Sequence, residues 1–119
     1  MVSTSPQSLA DEILVLLDKM KNYQIESVFR HYTAYQIFKV LVKYGNLIRS
    51  EILEKYEEEY HNPLPWTTAF DQLRILLGRG LIFNFSNPVT HKGRPETFYK
   101  AKVSLLLKEG LLNQISEGD

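Results

Sequence analysis

Thr67, Thr68, Asp71 and Arg74 carry two hydroxyls, an acid and a guanidinium at spacings that a helix gathers on one side, with Ile75 beside them. A face this slim and polar can enter a DNA major groove, where arginine donates to guanine edges and a methyl group meets thymine. Further along, Lys92, Arg94, Lys100 and Lys102 stand against Glu96 alone. That local excess of cations attracts a phosphate backbone. Nothing comparable points to bond-making chemistry. His31, His61 and His91 are widely separated, and each lacks a second ligand at metal-binding spacing, so they read as surface or helix-cap residues. Gly78-Arg79-Gly80 has no third glycine and no preceding strand, which makes it a helix exit and not a nucleotide loop. Glu57, Glu58 and Glu59 are adjacent on a helix, cannot converge on one point and read as a solvated face. Neither catalysis nor a cofactor is expected.

These groups need a frame that presents them together. Trp66, Ala69, Phe70, Leu73, Leu76 and Leu77 recur at three- and four-residue steps, which predicts a helix over 65–79 with that stripe inward. Pro65 suits its first position, and Gly78 and Gly80 let the chain leave it. Leu81, Phe83 and Phe85 alternate with Ile82 and Asn84, then Asn87-Pro88 and Gly93-Arg94-Pro95 punctuate a turn, and Phe98 and Tyr99 lie in a return strand. The expected order is a recognition helix, then a hairpin wing with a tip over 86–96 and strands over 81–85 and 97–102.

Upstream, Leu9, Ile13, Leu16, Leu17 and Met20 predict an amphipathic helix opened near Ser5-Pro6 or Ser8 and stopped near Asn22. The pattern of Ile25, Val28, Phe29 and Tyr32 shifts phase, which places a break near 21–24. Thr33 with Gln36 has capping-box spacing before a helix that Gly45 closes. Leu47 and Ile48 make a minimal edge strand, and Ser50 is the expected cap of a helix with Ile52, Leu53, Tyr56 and Tyr60 inward. Glu51 and Glu54 suit its first turn. After the wing, Leu105, Leu106, Leu107, Leu111, Leu112 and Ile115 predict a helix too apolar around its circumference for one neighbour to cover. The organisation expected is a helical extension over 1–32, a central unit over 33–102 and a C-terminal helix over 103–119. The outer segments either pack within one subunit or, on the sharper reading, join two copies as a homodimer.

The chain of 119 residues suits one domain, and its 44% hydrophobic content is ordinary for a globular protein. Lysine and arginine number 14, as do aspartate and glutamate, giving a net charge of zero. The neutrality hides polarity: residues 49–60 carry Arg49 and Lys55 against Glu51, Glu54, Glu57, Glu58 and Glu59, whereas the wing is basic. With no cysteine there is no disulfide framework or thiolate zinc site. Met1 to Pro6 lacks a basic-then-apolar leader, and no run reaches membrane-spanning length. A cytoplasmic, nucleoid-associated protein without membrane contact is expected.

The run from Ile37 to Lys102 resembles the winged helix-turn-helix domains of small prokaryotic transcription regulators, especially PadR-like and MarR-like proteins. The resemblance is carried by Tyr44-Gly45-Asn46-Leu47-Ile48, by Leu73 to Leu81 with its Gly80-Leu81 exit, and by Gly93-Arg94-Pro95 followed by Tyr99. The chain departs from the pattern after Tyr99, where the usual Leu-Thr step is missing, and in its long N-terminal extension; the composition is similar to that of archaeal regulators. The resemblance implies an α+β fold, mainly α with a small β-hairpin. It also implies a dimer on double-stranded DNA, with Thr67, Thr68, Asp71, Gln72 and Arg74 facing the groove and Lys92 and Arg94 reaching phosphates or the minor groove, beside Lys100 in the basic wing. Plainer readings stand beside these: Arg74 bridging to a surface acid, Gln72 at the helix flank, Ile75 under a strand, and Trp66 in the core, although stacking on an exposed base needs the same residue type. Since a fold does not fix a function, a protein-contact adaptor is the alternative. The sequence does not identify an effector.

Overall fold

The computed structural model describes residues 6–87 and 96–102. Helix α1 spans Pro6–Asp18, α2 Asn22–Phe29, α3 Tyr32–Tyr44, α4 Arg49–Tyr60 and α5 Trp66–Gly78; strands β1 Leu47–Ile48, β2 Ile82–Asn87 and β3 Glu96–Ala101 complete the order. The result is a mainly helical α+β winged-helix fold. The expected helix over 103–119 and positions 88–95 of the wing tip, with Lys92 and Arg94, lie outside the described residues; Ser86, Asn87 and Glu96, expected in the tip, belong instead to the paired strands β2 and β3.

Helix α3 is the hub. Ala34, Ile37, Phe38 and Leu41 are almost fully buried, and the helix packs against α1, α2, α4, α5 and β3. Ile13 and Leu17 of α1 and Ile25 and Phe29 of α2 enter the same core, so the N-terminal extension packs onto its own subunit. The phenol of Tyr35 donates to the Leu17 carbonyl at 2.5 Å, which satisfies a buried hydroxyl and ties α3 to the end of α1.

The helix ends depart from several expectations. α1 ends at Asp18 and Asn22 opens α2, so Asn22 is a start and not a stop. The acceptor there is Gln24, whose Oε1 takes the Lys21 N–H at 2.8 Å. α3 is capped from His31, leaving Thr33 inside the helix. α4 begins after Ile48 and not after Ser50, because the Glu51 carboxylate accepts the Ile48 N–H at 3.0 Å. Pro65 precedes α5 as its N-cap, one position earlier than expected. At the other end of α5, Gly80 adopts φ +73°, its N–H meets the Leu77 carbonyl at 3.1 Å, and the Leu81 N–H meets the Leu76 carbonyl at 3.0 Å. This pair of bonds is a Schellman motif, with Leu76 and Leu81 buried as its apolar pair. It turns the chain directly into β2.

The sheet is antiparallel, with strand order β1-β3-β2. Leu47 pairs with Tyr99 and Ile48 with Phe98, so the two-residue strand fixes the base of the hairpin. Opposite it, Ile82 pairs with Ala101, Phe83 with Lys100 and Phe85 with Phe98. Strand periodicity then turns Ile82, Tyr99 and Ala101 to the core and Phe83, Phe85, Phe98 and Lys100 outward.

Candidate nucleic-acid interface

Ala69, Leu73 and Leu76 are the buried members of α5. They are spaced by four and three residues and define the side held against the core. Opposite them Thr67, Asp71, Arg74 and Gly78 are exposed, as a helical repeat requires. Three of the expected groove residues therefore share one open face. Thr68 and Gln72 do not: both are half-buried on the flank, and the Gln72 Oε1 is turned into the protein with no hydrogen-bond partner among the described residues. Ile75 is half-buried on the same flank.

The inward stripe is rotated from the one expected. Trp66 is 51% exposed and Phe70 36%, so neither is a core residue. Their rings lie nearly parallel, 5.7 Å apart at 10°. The Arg49 guanidinium sits 4.5 Å from the Trp66 ring centre and 5.8 Å from that of Phe70, and the Arg74 guanidinium lies 5.8 Å from Phe70 on its own helix. These are cation–π distances, which hold a guanidinium in place without neutralising it. An open groove of about 530 Å³ runs here between the start of α4, the start of α5 and β3, with Arg49, Ser50, Trp66, Phe70, Glu96 and Thr97 among its walls.

Sequence reasoning weighed Trp66 for stacking but preferred the core, and it missed Arg49 and Phe70, although one signal for Arg49 was present. A cation in the first turn of a helix works against the helix dipole, and Arg49 is the first residue of α4. Such a residue is best accommodated where its charge has another partner.

On the hairpin, Lys100 is exposed, 5.8 Å from the ring of Phe83. Phe83 and Phe85 are 36% and 39% exposed, and Phe85 stacks on Phe98 at 5.6 Å. Ion pairs among the described residues join Lys39 with Asp18, Lys43 with Glu59 and Lys55 with Glu58. None of them engages Arg49, Arg74 or Lys100. Arg79, by contrast, is committed: its Nη1 donates to the Ser27 and Val28 carbonyls at 3.0 and 3.3 Å, closing the end of α2 from the end of α5.

The acidic run has a partly structural role. Glu57 and Glu58 are exposed, but Glu59 accepts from Lys43 and, at 2.6 Å, from the Tyr44 hydroxyl. Lys43 first, and then Tyr44, hold its carboxyl below the usual carboxylate range. Helical rise puts Glu58 about 14 Å along α4 from Arg49, so the acids and the aromatic groove occupy different ends of that helix.

Among the described residues no cluster of histidine, aspartate and glutamate could hold a metal ion, and no helix is long and apolar enough to cross a membrane. No family model matches the chain, and no curated protein matches it. Two solved structures are similar. One, a proposed transcriptional regulator from Thermoplasma acidophilum, is 25% identical over 72% of this chain and 82% of its own, with a TM-score of 0.52. The other, the circadian clock associated protein Pex from Anabaena, is 17% identical over 83% of this chain and 94% of its own, with a TM-score of 0.50, a likeness of fold.

Proposed function

We propose that this chain is a transcription regulator that binds double-stranded DNA, and that it carries out no catalysis. The observation that carries the reading is the outer face of α5, where Thr67, Asp71 and Arg74 are open and Arg74 is engaged by a ring instead of a carboxylate. In this reading α5 lies in the major groove, Arg74 donates to a guanine edge, and Asp71 accepts from a cytosine amine or orients Arg74. Arg49 and Lys100, with Lys92 and Arg94 of the wing, contact the backbone or minor groove. Thr68 and Gln72 join the contact only after a side-chain rotation. The likeness to a proposed transcriptional regulator supports the reading at the level of fold and general role.

The finer parts of the proposal are a homodimer and a PadR-like or MarR-like lineage. The dimer is supported by the leucine-rich stretch over 103–119 and by the outward Val15, Tyr23 and Tyr32, which are 56%, 62% and 56% exposed. A dimer would read inverted repeats with centres about 10 base pairs apart or a multiple of this.

Selection of bound duplexes from a random pool tests the proposal. Recovery of one inverted repeat, bound more tightly than its scrambled version, supports it; a pool that never enriches counts against it. A second reading, a winged-helix adaptor for another protein, is favoured by the exposed Phe83 and Phe85, since aromatic side chains dominate protein-contact energetics. Failure to enrich any duplex, with tight capture of one defined protein partner, would select that reading.

A further inference from the structure

The groove beside α5 has a chemistry that paired DNA does not use. Base pairs present edges to the grooves, while their faces are hidden in the stack. Trp66 and Phe70 instead bring two nearly parallel rings together, 5.7 Å between centres, and the Arg49 guanidinium is what lies over them. Ring faces next to a guanidinium are what a single base and its phosphate require. The opposite wall adds a restriction. Glu96 repels phosphate, so the whole groove is not a phosphate seat; its carboxylate suits a donor such as an exocyclic amine. The volume, about 530 Å³ and open to solvent, admits one nucleotide unit.

We propose that this groove receives one unpaired nucleotide of the bound DNA. Its base takes the place of the Arg49 guanidinium over the Trp66 and Phe70 rings, the displaced guanidinium pairs with its phosphate, and the amine of an adenine or cytosine faces Glu96. This rests on the DNA-binding reading and narrows it: the preferred site contains, or is opened to give, an unpaired amino-bearing base near the start of α5. Thymine has no exocyclic amine and is the disfavoured occupant.

The test uses the full chain and labelled duplexes of one selected sequence. One duplex is fully paired, others carry a single extra adenine at successive positions, and matching ones carry thymine. Affinity is read by anisotropy, and Trp66, the single tryptophan of the chain, reports stacking through its own emission. At one position, extra adenine should tighten binding over the paired duplex by roughly 5- to 150-fold, the range expected from stacking one base on an aromatic side chain. Tryptophan emission should be quenched at the same position. Trp66→Ala should bring that ratio near one. Glu96→Ala, at an exposed position, removes the acceptor and should abolish the preference for adenine over thymine. Equal affinity for paired and unpaired duplexes at every position overturns this inference and leaves duplex recognition standing, with the rings resting on sugar edges. Absence of binding to every duplex overturns both.

Discussion

Arg74 separates sequence reading from simple charge attraction, and Arg79 supplies a control on the next turn of chain. In Arg74→Ala the side chain lost is exposed, and its contact within the subunit is a guanidinium 5.8 Å from the Phe70 ring. Folding should therefore lose about 0.5–1 kcal/mol at most. A bidentate arginine–guanine contact is worth about 1–3 kcal/mol of discrimination, or roughly 5- to 150-fold in affinity for the correct base. Competition among a selected duplex and its single-base variants should show the loss concentrated at one position per half-site, with the ranking elsewhere preserved. Lys100→Ala removes the same charge from the wing and should weaken all duplexes about equally, reducing the salt slope by about 1. Arg79→Ala also removes one positive charge, but its guanidinium is spent on the Ser27 and Val28 carbonyls. It should cost stability, about 1–3 kcal/mol for charged hydrogen bonds, with little change in specificity. If Arg74→Ala weakens every duplex equally, or changes none, α5 is not the reading element and the reasoning fails.

Other perturbations probe the frame. Gly45 leaves α3 at φ +88°, and a Cβ there would meet nothing within 4 Å, so Gly45→Ala measures backbone strain alone; a loss of about 1–3 kcal/mol by urea denaturation is expected. Leu76→Ala empties a fully buried site between α5 and the core and should cost about 2–5 kcal/mol, far more than truncating half-exposed Trp66. Glu59 titrates below its ordinary 4.5 in the folded chain, so its pairing with Lys43 and Tyr44 stabilises above that value and is lost as pH falls through the lowered one. Glu59→Gln should flatten that part of the acid limb, seen by comparing denaturation midpoints at pH 7 and near pH 3.

The order of elements was legible because their apolar periods are long and their exits are marked. Gly45, Leu47-Ile48, Gly80 and the alternation through Phe83 and Tyr99 each locate a boundary to within a residue or two. Caps were harder: Thr33 and Ser50 have the right chemistry, yet the chain starts α3 at Tyr32 and α4 at Arg49. For α4 the decisive acceptor is Glu51, which reaches back to Ile48. Trp66 and Phe70 were misplaced for a geometric reason. A period of 3.6 residues leaves the edges of an apolar stripe ambiguous, and the core selected Ala69, Leu73 and Leu76, which turns the two rings outward and Gln72 inward. Arg49 joins them through a contact between elements, which periodicity within one helix cannot reveal. The cations expected on the wing were legible as composition; the described structure adds a neighbourhood for Lys100, beside the Phe83 ring, and for Lys102, half-buried with its N–H on the Leu81 carbonyl.

The central claim is that α5 and the wing hold duplex DNA through phosphate contacts around a slim polar face. The most direct measurement is the affinity of a selected duplex as salt is raised. If Arg49, Lys92, Arg94 and Lys100 each neutralise a phosphate, log K against log salt should fall with a slope of roughly −3 to −4 per subunit, doubled when two subunits bind. A duplex affinity indifferent to salt, or no duplex retained at the lowest salt, would contradict the account.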